Sequence, residues 1–306
     1  MKNIKNTAKA AAQAAEKKYS KLTKGKKRLV TGACLVLAVA LIFGIISVPS
    51  FTAASATERQ LPIYSVERDQ KMVSLSFDAA WGNEDTETLI EILGKYDVKA
   101  TFFVVGDWVD KYPESVKALH DAGHEVMNHS NDHAHFNSLT SDQIAENINA
   151  CNDKIEAVTG VRPTLFRPPY GEYDDHVITA VRSMGIEPIQ WDVDSLDWKD
   201  LSAGEIYDRV TSKVQSGSIV LFHNAALHTP EALEDIVAYL VSEGYSIVPI
   251  SQLIIDGEYT IDHTGRQLPS AQDRTQIKSG VPYGTPLLSP KFQNYTILFA
   301  PHHTLV

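Results

Sequence analysis

The sequence predicts an α/β fold, specifically a distorted, incomplete (β/α)7 barrel preceded by one transmembrane helix. Three observations support this prediction. Apolar, β-rich runs alternate with helix-like stretches between about residues 71 and 255, a pattern typical of a parallel sheet. Glycines follow several of the helix-like stretches, where helices commonly end. A long run without charged residues precedes this region, and its length suits a membrane span.

The alternation sets the bounds of each predicted element. The predicted strands, in chain order, are 72–77, 100–105, 125–128, 164–166, 187–191, 218–222 and 245–248. The predicted helices are 86–96, 113–122, 141–159, 174–184, 203–215 and 230–242. Because about 185 residues contain all of these elements, a small or incomplete barrel is favoured over an open sheet, although the pattern does not itself establish closure.

The charge of the chain is divided between its first 28 residues and the remainder. The 306 residues include 28 Lys and Arg and 38 Asp and Glu, which gives a net charge of −10. Residues 1–28 contain ten of the basic residues but only one acidic residue, so the rest of the chain is strongly acidic. Nucleic-acid phosphates require a basic surface, and we therefore expect no nucleic-acid partner for this acidic part.

Residues 29–48 form the predicted membrane segment. This run has no charged residue, and Lys24, Lys26, Lys27 and Arg28 lie directly before it. By the positive-inside rule, residues 1–28 are then a cytoplasmic tail, residues 49–70 a linker, and the rest of the chain is extracytoplasmic. The alternative is a signal sequence cleaved near Ala56, which would leave a secreted protein. We favour a single-pass anchor in the cell membrane, because the apolar run is longer than the apolar region of a usual signal sequence.

The chain beyond the linker is predicted to contain one domain, residues 71–255, and a C-terminal extension, residues 256–306. The extension contains five prolines and has no clear hydrophobic periodicity. The only cysteines are Cys34, in the apolar run, and Cys151, in a predicted helix. No disulfide framework is therefore expected, and the domain must be stabilised by its hydrophobic core. The sequence does not indicate an oligomeric state.

Polar residues follow the predicted strands at the points where the strands end. They are Asp78, His129, His133, Arg167, Asp194, Asp197 and His223. The carboxyl ends of the strands in a β/α barrel form one rim, and active sites lie at that rim. Each residue alone is weak evidence, but their common position predicts a functional site there.

His129 and His133 are candidate metal ligands. Two imidazoles four residues apart can reach one ion from a helical turn or a tight loop. Imidazole nitrogen suits zinc, and also cobalt or nickel. The alternative is a pair of exposed histidines without a ligand, which the predicted rim position makes less favourable.

Two loops at the same rim carry further candidates. Prolines stiffen the loop from Arg167 to Gly171, which would hold a backbone N–H toward a developing oxyanion, although such a sequence is more often only a turn. The loop that ends in Asp197 and Trp198 combines a carboxylate with an aromatic wall. A carboxylate beside His223 would orient its ring and raise its pKa, as a general acid requires.

These residues resemble the five ordered motifs of the polysaccharide deacetylase family (NodB homology, carbohydrate esterase family 4). The resemblance covers about residues 71–255. The matching segments are Ser76-Phe77-Asp78, His129-x-x-x-His133, Arg167-Pro-Pro-Tyr170-Gly171, Asp194-Ser-Leu-Asp197-Trp198 and Leu221-Phe-His223. The segment from Phe77 to Gly82 is similar to the sporulation and cell-wall branch, which has a modified first motif.

The resemblance implies a metal-dependent hydrolysis of N-acetyl groups. It implies that His129 and His133 bind a divalent metal, usually zinc, which polarises the acetamide carbonyl and binds the attacking water. It also implies that Asp78 is the general base and that Arg167 holds this carboxylate in place. The expected products are acetate and a free amine on the sugar.

The resemblance also assigns the remaining candidates. The backbone N–H of Tyr170 would bind the oxyanion, and His223, tuned by Asp197, would protonate the departing amine. Leu221 and Trp198 would form the wall of the acetyl pocket. The implied partner is a cell-wall polysaccharide.

The first motif departs from the family pattern at one position. The family has two consecutive Asp residues, the base and then a metal ligand, but Ala79 occupies the second position here. Glu84 and Asp85 follow a few residues later, and Asp85 is expected to be the N-cap of the next helix. Either only two protein ligands remain, or Asp78 turns toward the metal and gives up its role as the base. Both cases predict weakened metal binding, and loss of activity is the third alternative.

Three functions are consistent with these observations. The favoured one is a peptidoglycan deacetylase acting on N-acetylglucosamine or N-acetylmuramic acid. The second is a catalytically impaired membrane protein that binds glycan without hydrolysing it. The third is a deacetylase of chitin-like oligosaccharides, which keeps the chemistry and changes the substrate.

Overall fold

The computed structural model describes residues 2–47 and 59–270 and divides the chain into two units, Met1–Glu58 and Arg59–Val306. The first unit contains helices α1 (Lys2–Ser20) and α2 (Lys24–Ser47). The Tyr19 hydroxyl on α1 lies 2.8 Å from the Thr31 hydroxyl on α2. Residues 49–58 of the predicted linker, including Ala56, and residues 271–306 of the predicted extension lie outside the described residues.

The predicted transmembrane helix requires correction. The apolar run lies in α2, which begins at Lys24 and therefore also contains the basic residues that precede the run. Within residues 2–47 and 59–270, no helix has both the length and the apolar composition that a bilayer crossing requires. This finding contradicts the predicted span at residues 29–48, and the single-pass membrane location inferred from it is wrong.

The second unit contains eleven strands and eight helices among its described residues. The strands are β1 Ser65–Val66, β2 Met72–Ala79, β3 Thr101–Val104, β4 Glu125–Asn128, β5 Leu165–Phe166, β6 Glu187–Pro188, β7 Val193–Asp194, β8 Ile219–His223, β9 Ser246–Ile247, β10 Tyr259–Ile261 and β11 Arg266–Pro269. The helices are α3 Thr86–Lys95, α4 Gly106–Lys111, α5 Pro113–Asp121, α6 Ser141–Thr159, α7 Asp175–Ser183, α8 Ala203–Thr211, α9 Thr229–Ser242 and α10 Ile250–Leu253.

The main sheet is parallel and curls into an incomplete barrel. Its strand order is β6-β5-β4-β3-β2-β8-β7, and β9 pairs with the first residues of β2. Strands β6 and β7 lie at the two ends of this order. Near this opening, the Ile63 N–H donates to the carbonyl oxygen of Pro188, and the Ile63 carbonyl accepts from the Gln190 N–H. The predicted α/β fold with an incomplete parallel barrel is confirmed.

The differences from the predicted elements lie in short segments. Every predicted strand overlaps an observed one, but β7 was not predicted because two residues carry no recognisable periodicity. Part of the predicted linker and part of the predicted extension also form structure together. Strand β1 pairs in parallel with β11, which pairs antiparallel with β10, so these segments form a second, three-stranded sheet.

Alternate residues of the central strands pack on opposite faces of the sheet. The Phe77 ring on β2 stacks on Phe102 of β3 and on Phe222 of β8, with centroids 4.7 and 5.3 Å apart. This cluster includes apolar residues of α3, α5, α8 and α9, so these helices cover one face. Phe103, adjacent to Phe102, packs instead with Met127 in a second cluster. Burial on both faces explains why these strands are almost continuously apolar.

We expect Gly217→Ala to destabilise the domain strongly. Gly217 has φ +85°, and a Cβ at this position would lie 1.7 Å from the Val66 carbonyl oxygen, far inside any permitted contact distance. The Gly217 carbonyl also accepts a hydrogen bond from the Val66 N–H. The substitution would therefore displace β1 in addition to the cost of about 1–2 kcal/mol for a side chain at positive φ.

Urea unfolding would measure this difference against a matched control. Gly244 has a similar φ of +80°, but apart from its chain neighbours no atom lies within 4 Å of the position that a Cβ would occupy. Gly244→Ala should therefore lose only the conformational part of the free energy of unfolding. Equal losses in the two variants would show that the contact with Val66 contributes nothing.

Candidate active site

The rim formed by the carboxyl ends of the strands surrounds a pocket of about 580 Å³. The parallel register brings the ends together: Asp78 of β2 lies opposite His223 of β8, and Asn128 of β4 lies opposite Phe166 of β5. The pocket is lined by Asp78, Trp81, His129, His133, Tyr170, Gly171, Trp191, Asp194, Trp198, Asp200, Leu221, His223, Asn224, Ala225 and Ala226. Seven of the nine residues predicted for the site line this pocket, and Arg167 and Asp197 lie behind it.

Arg167 and Asp78 form a buried ion pair. The Arg167 Nη1 donates to Asp78 Oδ1 at 2.7 Å, and Nη2 donates to the Ser76 hydroxyl at 2.9 Å. Arg167 is completely buried, and its guanidinium lies 4.2 Å from the centroid of the Phe103 ring. Burial alone would raise the pKa of Asp78, but the charge and hydrogen bond of Arg167, together with the nearby imidazoles, outweigh burial and lower this pKa. Asp78 is therefore ionised, as a general base must be.

His129 is oriented by the backbone of the same arginine. Its Nδ1 lies 2.7 Å from the Arg167 carbonyl oxygen, which can only accept a hydrogen bond, so Nδ1 carries the proton. The Nε2 atom is then unprotonated and lies 3.5 Å from Asp78 Oδ2. Burial lowers the pKa of His129, which favours this neutral form. A neutral imidazole with a free nitrogen is able to bind a cation.

His133 lies beside His129 on a loop and not on a helix. It has φ +56°, and its backbone N–H donates to the Ser130 hydroxyl at 2.8 Å. The His133 ring centroid is 5.0 Å from that of His129 and 4.5 Å from that of Tyr170. Burial lowers the pKa of His133 to about 4. The two predicted ligands are thus adjacent, and both are neutral near pH 7.

The residues present do not complete a metal centre. Across the described ranges, no group of three or more His, Cys, Asp and Glu residues has the arrangement needed to bind a metal ion. Ala79, the last residue of β2, is 1% exposed and offers no ligand atom. One oxygen of Asp78 is already bonded to Arg167. The donor set therefore fits a metal only in its two imidazoles.

Asp85 does not replace the missing carboxylate, and it lies where it was predicted, at the start of the next helix. It occupies the N-cap position of α3, but its side chain makes no capping hydrogen bond. Its Oδ2 instead accepts from the backbone N–H of Ala225 at 2.8 Å, on the loop after β8. This contact joins two distant segments, so local sequence patterns could not reveal it.

His223 and Asp197 form a second charged pair across the pocket. The His223 Nδ1 lies 2.7 Å from Asp197 Oδ1, and the His223 backbone N–H donates to Oδ2 at 2.8 Å. The Thr229 hydroxyl donates to the same Oδ2 at 2.7 Å. Burial would lower the pKa of His223, but the hydrogen bond and charge of Asp197 outweigh it, so this pKa is raised. His223 is therefore suited to carry a proton.

The other predicted residues lie at the pocket wall. Tyr170 has φ +60° in the turn Pro169–Gly171, an unusual backbone conformation for a residue other than glycine. Its ring stacks on His135 with centroids 4.4 Å apart. Leu221 is almost fully buried at the wall, whereas Trp198 is 55% exposed.

Several residues at or beside the pocket were not predicted, among them Thr229, Asn224 and Trp191. Thr229 reaches Asp197 only through the fold, because 32 positions separate them in the chain. Asn224 directly follows His223, and this position at a strand end was a signal that could have found it. Its backbone N–H donates to the Asp78 carbonyl, and its Oδ1 accepts from the Ala80 N–H. Trp191 lies beside the same pocket, after β6.

We expect Asp197→Asn to lower the pKa of His223. The variant keeps the side-chain shape but removes the charge that favours the imidazolium. In the wild type, protonated His223 stabilises the fold below its unfolded pKa, and this contribution is lost as the pH rises through the raised folded pKa. The pH dependence of the imidazole NMR shifts measures the pKa of His223 in the wild type and in the variant.

Asp200→Asn is the matched control, because it removes an exposed carboxylate from the same pocket wall. It should change the pKa of His223 much less, since water screens its charge. Equal changes in the two variants would contradict a specific role for Asp197.

Comparison with known proteins identifies the family. Residues 65–189 match the model described as polysaccharide deacetylase. The uncharacterised protein YlxY of Bacillus subtilis is 35% identical over 193 residues, which are 63% of this chain and 60% of that protein, so the chain spans less than two thirds of this relative. The peptidoglycan-N-acetylmuramic acid deacetylase PdaA of Bacillus subtilis is 30% identical over 208 residues, 67% of this chain and 79% of PdaA.

A solved structure gives the same result. A protein of Bacillus anthracis described as a CE4 family pseudoenzyme is 36% identical, with a TM-score of 0.61 over 68% of this chain and 73% of that one. A mutant of that pseudoenzyme is described as having restored enzymatic activity. On this sequence and structural similarity, the chain belongs to the polysaccharide deacetylase family.

Proposed function

We propose that this protein removes N-acetyl groups from a cell-wall glycan, releasing acetate and leaving a free amine. The proposal rests on one observation: a carboxylate with a lowered pKa and an imidazole with a raised pKa line the same pocket. The pKa of Asp78 is lowered beside Arg167, and the pKa of His223 is raised beside Asp197. One group accepts a proton and the other donates one, as hydrolysis of an amide requires.

The proton transfers follow from this arrangement. The Asp78 carboxylate accepts a proton from water as the water oxygen forms a bond to the acetamide carbon. The carbon–nitrogen bond then breaks, and the His223 imidazolium gives its proton to the departing amine nitrogen. Arg167 keeps Asp78 ionised and in place, and Asp197 keeps His223 oriented and charged. Proton transfer by such groups contributes about 10²–10⁴-fold each.

Three further residues complete the proposed site. The backbone N–H of Tyr170, held by the turn Pro169–Gly171, is the proposed donor to the oxyanion. Leu221 and Trp198 are the proposed walls of the acetyl pocket, and both line the cavity. An apolar wall suits the methyl group of acetate.

Peptidoglycan is the proposed substrate, at N-acetylglucosamine or N-acetylmuramic acid. The name of PdaA, a relative with 30% identity, specifies a peptidoglycan sugar. Chitin-like oligosaccharides are the alternative substrate, since they carry the same acetamide.

Zinc is the proposed cofactor, with cobalt or nickel as alternatives. His129 and His133 are the proposed ligands, because each has a pKa lowered by burial and is neutral near pH 7. Without a third protein ligand we expect weak binding, and the mechanism above is derived from the protein residues alone.

A second function is favoured by one specific observation. Ala79 stands where the family has a carboxylate, and the described residues contain no complete set of metal ligands. The Bacillus anthracis structure described as a pseudoenzyme is 36% identical to this chain. The second candidate is therefore a glycan-binding protein that does not hydrolyse its ligand.

We expect acetate release from peptidoglycan to depend on His223 and Asp78. His223→Ala and Asp78→Asn should each lower kcat by at least about 10²-fold, since each removes one proton transfer. Acetate and free amine would be measured with the full chain at several zinc concentrations. His176→Ala, at a partly exposed histidine of α7 that does not line the pocket, is the control and should retain activity.

Retained glycan binding with no acetate release by the wild type would favour the second candidate. Equal acetate release by the wild type and by both site variants would rule out the proposed proton carriers.

We expect Ala79→Asp to tighten zinc binding by at least about tenfold, because it supplies a carboxylate near the two imidazoles. Burying a new charge without metal should also lower the melting temperature, and added zinc should reverse this loss. Calorimetry and thermal unfolding measure both effects without an activity assay.

Ala80→Asp introduces the same charge one residue further along the chain and is the control. A similar gain in zinc affinity at both positions would show that the effect is not a specific ligand at position 79.

A further inference from the structure

Trp81 is a large apolar side chain that remains exposed on a loop fixed at both ends. It is 55% exposed, whereas Ala80 and Gly82 beside it are partly buried. An exposed tryptophan at a pocket is a common feature of binding sites, because contact with a ligand removes its apolar surface from water. None of the roles assigned above uses this residue.

The Trp81 ring lies between the two sides of the site. Its centroid is 6.2 Å from that of His133 and 6.0 Å from that of His223. His133 is one of the two proposed zinc ligands, and His223 is the proposed general acid. A sugar whose acetamide reached both would also contact this ring.

Hydrogen bonds fix the backbone on either side of Trp81. The Ala80 N–H donates to Asn224 Oδ1 at 3.1 Å. The Gly82 carbonyl accepts from the Trp108 Nε1 at 2.9 Å and also from Asn224 Nδ2. The next residue, Asn83, donates from its side chain to the Ser115 hydroxyl at 2.9 Å. The loop is therefore held in place before any ligand arrives.

A fixed loop lowers the cost of binding. Ordering a flexible loop on association costs conformational entropy, which a loop that is already braced does not lose. Tryptophan itself has only two side-chain torsions and presents a wide flat surface. The face of its ring carries partial negative charge, which attracts the axial C–H groups on the apolar face of a pyranose.

We propose that Trp81 contacts the pyranose ring bearing the acetamide and so determines affinity for the glycan. This proposal deepens the function proposed above and rests on it. Trp81 is a substrate-contacting residue in this view, and Asn224 is the positioning residue that holds its loop. The ligand class is an oligosaccharide of N-acetylated hexosamines.

The test compares glycan binding and turnover in variants of the full chain. The probes are a tetramer of N-acetylglucosamine and soluble peptidoglycan fragments. Trp81→Ala should raise both Kd, measured by calorimetry, and KM by about fivefold or more, with kcat changed less than about twofold. Trp81→Phe keeps a smaller ring and should give an intermediate increase.

Val241→Ala is the matched control, because Val241 is a 43% exposed apolar residue on α9 that does not line the pocket. It should leave Kd and KM unchanged. Melting temperatures equal to that of the wild type would show that the Trp81 variants remain folded. If Trp81→Ala does not fold, the comparison of Trp81→Phe with the wild type decides the question.

Two results would overturn the proposal while leaving the proposed function intact. One is an active wild type whose Kd and KM are unchanged in both Trp81 variants. The other is a fall in kcat at constant KM together with a shifted pH profile, which would mean that Trp81 acts through His223. A wild type that neither binds nor deacetylates either probe would instead refute the proposed function, and this proposal with it.

Discussion

The buried pair of Arg167 and Asp78 is the interaction on which the rest of the site depends. An arginine with no exposed surface requires a compensating negative charge, and Asp78 supplies it. Removing one partner of such a pair commonly costs about 3–5 kcal/mol, because an uncompensated charge is left inside. Arg167 follows β5, and its guanidinium also bonds to Ser76 on β2 and to the Gln190 carbonyl after β6. The arginine thereby connects the ends of three strands.

The backbone of Arg167 extends this control to the histidines. Its carbonyl oxygen accepts a hydrogen bond from the His129 Nδ1–H, which leaves Nε2 unprotonated and close to Asp78. One residue thereby sets the charge of the carboxylate and the tautomer of the neighbouring imidazole. In the Arg167–Asp78 pair a buried cation stabilises a carboxylate, whereas in the Asp197–His223 pair a buried carboxylate stabilises the imidazolium. Two environments separate the pKa values of groups that share one cavity.

Because Ala79 has no ligand atom, the metal ligands of the site are incomplete, whereas its hydrogen-bonded ion pairs are complete. The proposed proton carriers and their partners are joined by short hydrogen bonds, whereas the described residues offer only two adjacent imidazoles for a cation. The similarity to a Bacillus anthracis structure described as a pseudoenzyme and to the deacetylase PdaA places the chain near both kinds of relative. Under the two functions proposed for this chain, residue 79 at the end of β2 is the position that distinguishes a hydrolase from a glycan-binding protein.

Local patterns in the sequence were sufficient for most of the fold and for the chemical types at the rim. The apolar alternation located every strand of the main sheet except the two-residue β7. The polar residues at the strand ends included Asp78, His129 and His223, because parallel strands bring their carboxyl ends to one edge. The apolar run at residues 29–48 was misleading as a membrane span, since no helix among the described residues has the length and apolar composition that a bilayer crossing requires. Only the tertiary structure decided that Asp85 bonds to Ala225, that Thr229 bonds to Asp197, and that Trp81 lies between two histidines. These contacts join segments far apart in the chain, and their formation depends on how the loops close over the sheet, which no local periodicity encodes.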